Sequence, residues 1–407
     1  MCIRDRSEDI SNTDAPKLLP YFLILFGMSA GLSSVITLGA EFKQELGFSN
    51  FEIGLTIFSG FAASFIALIT LSPQADRGRS PILLKSGLIT GIIALLFLAI
   101  GDSLWYFILG RSLFGFAMGA TTPAAKRTVI VSDPTEIGKN LGKLGAYDAA
   151  GWVLGPAIAA ALNAIGGFRT PFWGMAVTLL FFVPTAWRAK PDNAERDLQK
   201  KRPIDLFRIR RFNGAVLILV SYFVFIGAFE AIWVLEMDAR GASNWQIGIA
   251  ITCAALPIPL LSIKGGALAQ RFGPRRWAVG NLAIISVLVS TFGLVEGLFA
   301  LILITVITAG SEGLSLPAGP MLVSVSVPEE RQAAAQGLAA SMQVAAGALA
   351  TIMAAAIYQT SNDTIAWIVT SSIMIVLITF GWVLTKAPDG KPIEPDVTFD
   401  LKRRLFE

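Results

Sequence analysis

The chain repeats itself at a fixed interval inside long apolar stretches. Gly47-Phe48-Ser49-Asn50-Phe51-Glu52-Ile53-Gly54 returns as Gly241-Ala242-Ser243-Asn244-Trp245-Gln246-Ile247-Gly248, and Asp76 aligns with Gln270, both displaced by 194 positions. Pro123 and Pro317, and Pro134 and Pro328, keep the same displacement. A shift held over roughly ninety residues marks two copies of one structural module. The apolar runs in and around the copies are about 20 residues long, enough to cross a hydrocarbon layer of about 30 Å as helices. A duplicated unit made of such runs restricts the fold to a helical membrane protein with two related halves, an arrangement typical of transporters.

Helical spans are expected at 18–40, 52–71, 81–100, 104–128, 141–164 and 171–187, then at 213–235, 246–264, 277–294, 298–326, 332–357 and 365–385. The division that follows is a polar N-terminal tail (1–17), a six-helix bundle (18–187), a basic linker (188–211), a second six-helix bundle (212–385) and a polar C-terminal tail (386–407). With 54% hydrophobic and 15% charged residues, the chain falls outside the soluble globular range. The N-terminal tail lacks the order of regions that makes a signal peptide. Cys2 and Cys253 stand far apart and histidine is absent, so neither a disulfide framework nor a metal site is expected, and no cofactor is implied. The basic character of the chain is placed for membrane topology, with no pattern that points to nucleic acid.

Lys and Arg near span ends favour the cytoplasmic side. If the N-terminus is cytoplasmic, that side carries Arg77, Arg79 and Lys85; Lys126, Arg127, Lys139 and Lys143; Arg271, Arg275 and Arg276; nine basic residues in the linker; and five in the C-terminal tail. The opposite side carries Lys43, Arg169 and Arg240 alone. A multi-pass protein of the cell (inner) membrane with both termini cytoplasmic is the expected topology.

The repeated connection identifies a family. Gly266-Ala267-Leu268-Ala269-Gln270-Arg271-Phe272-Gly273-Pro274-Arg275-Arg276 resembles the Gly-x-Leu-Ala-Asp-Arg-x-Gly-Arg-Arg connection of the major facilitator superfamily, with Gln270 in place of Asp. The first copy, Ser72-Pro73-Gln74-Ala75-Asp76-Arg77-Gly78-Arg79, departs at Ser72 and Gln74 and lacks one residue before Gly78. The resemblance extends from about residue 18 to 385. It implies an all-α membrane fold of 12 transmembrane helices in two pseudo-symmetric six-helix bundles. Gating is expected at Asp76, Arg77, Gly78, Arg79, Gly266, Gln270, Arg271 and Gly273. Glycines permit the tight turn there, and a carboxylate at Asp76 can sit against the positive end of a neighbouring helix.

Two further stretches carry the resemblance. Arg111-x-x-x-Gly115-x-x-x-Gly119 in the fourth span is similar to a superfamily motif whose Arg is thought to assist proton movement. Glycines four apart let a second helix backbone approach. Arg111 must face protein or water, or snorkel to the outer interface. In the fifth span, Gly142, Gly151 and Gly155-Pro156, followed by Ala159-Ala160 where Gly-Gly is usual, resemble the antiporter motif of drug–proton exporters. Pro156 removes a helical hydrogen bond and bends the helix; a generic small-residue packing face is the plainer reading of the same residues.

Proton coupling needs a buried carboxylate that titrates near neutrality. Candidates are Glu312, near mid-membrane between Gly310 and Gly313; Glu230, one turn from Trp233 and near the outer interface; and Asp148, which is also placed to pair with Lys143 or Arg127. Trp152, Phe229, Trp233, Gln343 and Phe58 are candidates to line a central cavity, although such residues also serve as packing or interface anchors. No zinc-protease motif, nucleophile–base pair or phosphate-binding loop is present, so an enzyme is not expected. The expectation is a monomeric secondary transporter in the bilayer, exchanging protons for a small amphipathic compound. A symporter or uniporter for a metabolite, and a transport-incompetent sensor or scaffold, are the alternatives.

Overall fold

The computed structural model describes residues 18–37, 45–48, 50–132, 135–188, 203–242 and 244–386. Most of the basic linker and nearly all of both tails lie outside the described residues. Among the described residues there is no β-strand. The first half consists of α1 (Leu19–Thr37), α2 (Asn50–Gln74), α3 (Ser80–Ile100), α4 (Leu104–Ser132), α5 (Ile137–Gly166) and α6 (Thr170–Trp187). A short 3₁₀ turn at Pro203–Arg208 precedes the second half. There α7 is Arg210–Ala239, α8 Asn244–Ala255, α9 Pro257–Phe272, α10 Pro274–Ser290, α11 Leu298–Ser315, α12 Ala318–Ser324, α13 Gln332–Thr360 and α14 Asp363–Leu384.

Every stretch expected to span is helical over its described residues, residues 38–40 of the first lying outside them, but two are broken. The stretch at 246–264 divides into α8 and α9, and that at 298–326 into α11 and α12. Pro257 and Pro317 stand at the breaks, where a missing N–H and a ring clash with the preceding turn interrupt the hydrogen-bond ladder. Nine stretches of the described residues have both the length and the hydropathy to cross a membrane, and one of them, Leu55–Ile100, holds α2 and α3 together. α1 offers only a shorter apolar segment, Leu19–Ser34, and α4, which carries Arg111 and several threonines, is not among the nine.

The two halves use the same pairings. α1 packs on α5 and α6, α2 on α4, and α3 on α6; correspondingly, α7 packs on α13 and α14, α9 on α11, and α10 on α14. Turn glycines repeat as well. Gly47 and Gly241 both have positive φ (70° and 80°), and so do Gly78 and Gly273 (73° and 88°). Only residues without a Cβ adopt that conformation freely. The second glycine pair is displaced by one extra position, as the residue missing from the first copy requires.

Glycines set the closest approaches. A Cβ on Gly115 would overlap the carbonyl of Gly60, which is how α4 lies directly on α2. Gly227 and Gly347 play the same part between α7 and α13. Between the halves, the contacts gather towards the end that carries the two repeated turns, here termed the basic end. α5 crosses α9 with Gly138 against Gly266 and Gly142 against Ser262, and α13 crosses α2 with Gly337 against Ser72 and Leu68.

Candidate gate and interior charge sites

The first turn of any helix presents backbone N–H groups without helical partners and the positive end of the helix dipole. Two such ends meet the repeated turns, each across the boundary between halves. Asp76 lies in a π-helical turn, Ala75–Arg79, and is buried. Its Oδ1 accepts from the Ala333 N–H and its Oδ2 from the Ala334 N–H, both at 2.8 Å, at the start of α13. Arg127 on α4 completes the cluster. Its Nη1 lies 2.7 Å from Asp76 Oδ1 and donates to the Glu329 carbonyl at 3.0 Å.

The second turn makes the related contact with an amide. Gln270 Oε1 accepts from the Gly138 N–H at 3.0 Å at the start of α5, and its Nε2 donates to the Thr135 carbonyl. Gly266 packs on the Gly138 backbone. The remaining residues of the turns are less engaged. Arg79 is exposed and donates to Gln74 Oε1 at 2.9 Å, Arg77 is half-buried, and the Arg271 guanidinium lies 5.6 Å from the Phe272 ring centre. Arg275 is held more firmly, stacked 3.5 Å from the Trp382 ring centre and donating to Thr385 Oγ1 and the Trp382 carbonyl at 2.9 Å each.

The glycines of α5 face two directions. Gly138, Gly142 and Gly145 face the second half, and Ser262 Oγ donates to the Gly142 carbonyl at 3.0 Å. Gly151 and Gly155 face α1 within the first half, where Ser33 and Ser34 donate to their carbonyls. Pro156 lies inside the same helix.

The interior charges are dispersed. Glu312 on α11 is buried, and the Tyr222 hydroxyl of α7 donates to its Oε2 at 2.9 Å. Glu230, two turns along α7, is exposed, yet close enough for its charge to act on Tyr222. Arg111 is 1% exposed; its guanidinium lies beside Gly60, and its Nε and Nη1 find no hydrogen-bond partner among the described residues. Asp148 on α5 is half-buried, accepts from Ser29 Oγ of α1, and has Lys126 of α4 as its nearby counter-charge.

The aromatic candidates divide. Trp152 and Phe58 are exposed, and Gln343 and Phe229 are half-buried. Trp233 is fully buried, stacked on Phe229 at 5.1 Å between ring centres, and its Nε1 donates to Thr305 Oγ1 at 3.0 Å.

Sequence reasoning did not single out the roles of Arg127, Lys126 and Tyr222, or a cluster at the end opposite the turns. There the buried Glu236 accepts from Trp367 Nε1 at 2.5 Å and pairs with Arg240 at 3.3 Å. Arg240 also reaches Asp363 at 3.7 Å and the carbonyls of Phe292 and Val295. The cluster ties α7 to α14 and to the connection before α11. A carboxylate and an arginine four residues apart on one helix were the available signal, but their partners lie more than fifty positions away.

Known proteins share this fold. The profile of the Major Facilitator Superfamily matches residues 21–243 and again 214–405. The tetracycline resistance protein, class B, of Escherichia coli is 27% identical over 345 residues, 80% of this chain and 84% of that protein. The multidrug resistance protein MdtG of Escherichia fergusonii is 23% identical, covering 90% of this chain and 93% of that one. Among solved structures, the E. coli fucose:proton symporter superposes with a TM-score of 0.74 at 14% identity, over 91% of this chain and 98% of its own.

Proposed function

The chain belongs to the major facilitator superfamily of membrane transporters, and from that premise we propose that it exports a small amphipathic compound in exchange for protons by alternating access. The observation that carries this reading is the pair of repeat-related contacts at the basic end. Asp76 caps α13 and Gln270 caps α5, each bridging one half to the other. The contacts are polar, few and lie over a glycine-lined crossing, so they can form in one conformation and part in the other. The halves, divided at the basic linker, rock about a cleft whose inner closure is these two latches. Efflux rather than uptake is favoured by the tetracycline resistance and MdtG relatives, whose names describe drug resistance.

Glu312 is the proposed proton carrier. A carboxylate enclosed by α11 and α7 is costly when charged and tolerated when neutral, so its protonation changes which conformation is favoured. Tyr222, donating to it, holds the acid in place. Glu230, Arg111 and Asp148 are further groups on the same route. The test is export from loaded proteoliposomes under an imposed pH gradient. Glu312→Gln is expected to abolish gradient-driven export while the purified protein keeps its melting temperature. Full gradient-driven export by that variant rejects Glu312 as the carrier, and transport of the opposite sense supports a symporter instead.

A further inference from the structure

We propose that Lys126, with Ser29 and Asp148, forms an anion-recognition point in the cleft, and that it holds a carboxylate or comparable acidic group of the transported compound. The proposal rests on the transporter reading above and adds to it the chemical class of the substrate. Three helices of the first half contribute: Ser29 from α1, Lys126 from α4 and Asp148 from α5. Lys126 stands about 9 Å inside the basic end of α4, and Asp148 about 16 Å inside the basic end of α5, at 1.5 Å per helical residue. Both are within the protein, and both are half-buried rather than sealed.

The geometry distinguishes the two charges. Asp148 is engaged by the Ser29 hydroxyl. Lys126 makes no hydrogen bond among the described residues, and no carboxylate oxygen of those residues lies within 4.0 Å of its ammonium. The charges act on each other across that gap without touching. An interior ammonium with a distant counter-charge is kept only where water or a ligand completes its shell. An arriving carboxylate completes it and replaces Asp148 as the nearest negative charge, which leaves Asp148 free to carry a proton. The exposed Trp152, one turn from Asp148 on α5, offers an aromatic surface for the apolar body of the same molecule.

The position also couples recognition to the gate. Arg127, the next residue on α4, holds Asp76 and the Glu329 carbonyl. A ligand drawn onto Lys126 bears on the same turn of α4 that fixes the first latch.

The test reads the field first, without needing the natural substrate. In protein carrying Cys2→Ser and Cys253→Ser, Trp152→Cys is reacted in lipid nanodiscs with sulfonatoethyl methanethiosulfonate and with its trimethylammonium counterpart. The ratio of anionic to cationic rates is expected to fall about tenfold on Lys126→Gln, to persist in Lys126→Arg, and to rise in Asp148→Asn. A ratio unmoved by Lys126→Gln overturns the proposal. Failure of either reagent to react at position 152 overturns the aqueous cleft, and with it the transport reading.

Binding of rhodamine B, which has a free carboxylate, is then compared with binding of its ethyl ester in protein with Trp152 intact. Lys126→Gln is expected to weaken rhodamine B about tenfold and leave the ester unchanged, with Lys126→Arg restoring the difference. Equal wild-type affinity for the two dyes, affinity for neither, or equal loss of both overturns the proposal.

Discussion

Replacing Asp76 by asparagine should open the basic end. The Asp76–Arg127 pair lies wholly within the first half, so its loss is common to both conformations and does not by itself favour one. What discriminates is the contact with α13: two hydrogen bonds from Ala333 and Ala334 to the carboxylate, at 2.8 Å each, in the field of the helix N-terminus. Asparagine keeps the shape and one acceptor oxygen but loses the charge and one of the bonds. A hydrogen bond to a charged group is worth about 1.5–3 kcal/mol and the helix-end charge about 0.3–1 kcal/mol, so about 2 kcal/mol of the latch is removed. That is a shift of roughly 30-fold towards the conformation open at the basic end. Ser262 reports it, being fully buried between α9 and α5 and bonded to the Gly142 carbonyl. With Cys2→Ser and Cys253→Ser in place, the N-ethylmaleimide reaction rate of Ser262→Cys should rise by about that factor in Asp76→Asn, up to the rate of a free thiol. A rate within about twofold of the parent would refute the latch, because nothing else in the substitution compensates the lost charge.

Two other changes probe the account at separate places. Gly138→Ala adds a methyl group that meets the Gly266 carbonyl and lies 2.8 Å from Gln270 Cβ, so the α5–α9 crossing must separate; overpacking of this kind costs about 1–3 kcal/mol. Transport should fall and Ser262→Cys labelling should rise, with the melting temperature in detergent kept; unchanged transport and labelling would show the crossing to be dispensable. Trp367→Phe removes the donor to the buried Glu236, and leaving that carboxylate short of a partner should destabilise the second half by about 1–3 kcal/mol. The readout is thermal unfolding of purified protein, and no loss of stability would mean that Arg240 alone satisfies Glu236.

The duplication was legible because a repeated turn needs the same residue types wherever it occurs. The 194-position shift paired Asp76 with Gln270, and in space both sit at the first turn of a helix from the other half. The helical class and the span positions followed from length and hydropathy. Pro257 and Pro317 were visible in the sequence, but a proline within a span does not reveal whether the helix bends or divides. The interior was less legible because these helices are apolar on most faces, so sequence does not say which way a polar side chain turns. Arg127 read as one of several topology charges, although its partner Asp76 is fifty-one positions away. Asp148 was expected near Lys143 or Arg127, and the cation whose charge reaches it is Lys126. The α5 glycines read as one packing face, but Gly142 meets the second half while Gly151 and Gly155 meet α1.

The most direct test of alternating access about the two latches is a pair of spin–spin distances measured by double electron–electron resonance. One pair of labels, at the exposed Ile82 and Phe272, reports the basic ends of the two halves; the other, at the exposed Trp105 and Phe299, reports the opposite ends. Wild-type protein should show a short basic-end and a long far-end distance, and Asp76→Asn should populate the reverse, one distance lengthening as the other shortens. Distances that stay the same in both proteins, or that lengthen together, would contradict a rocking motion hinged on these contacts.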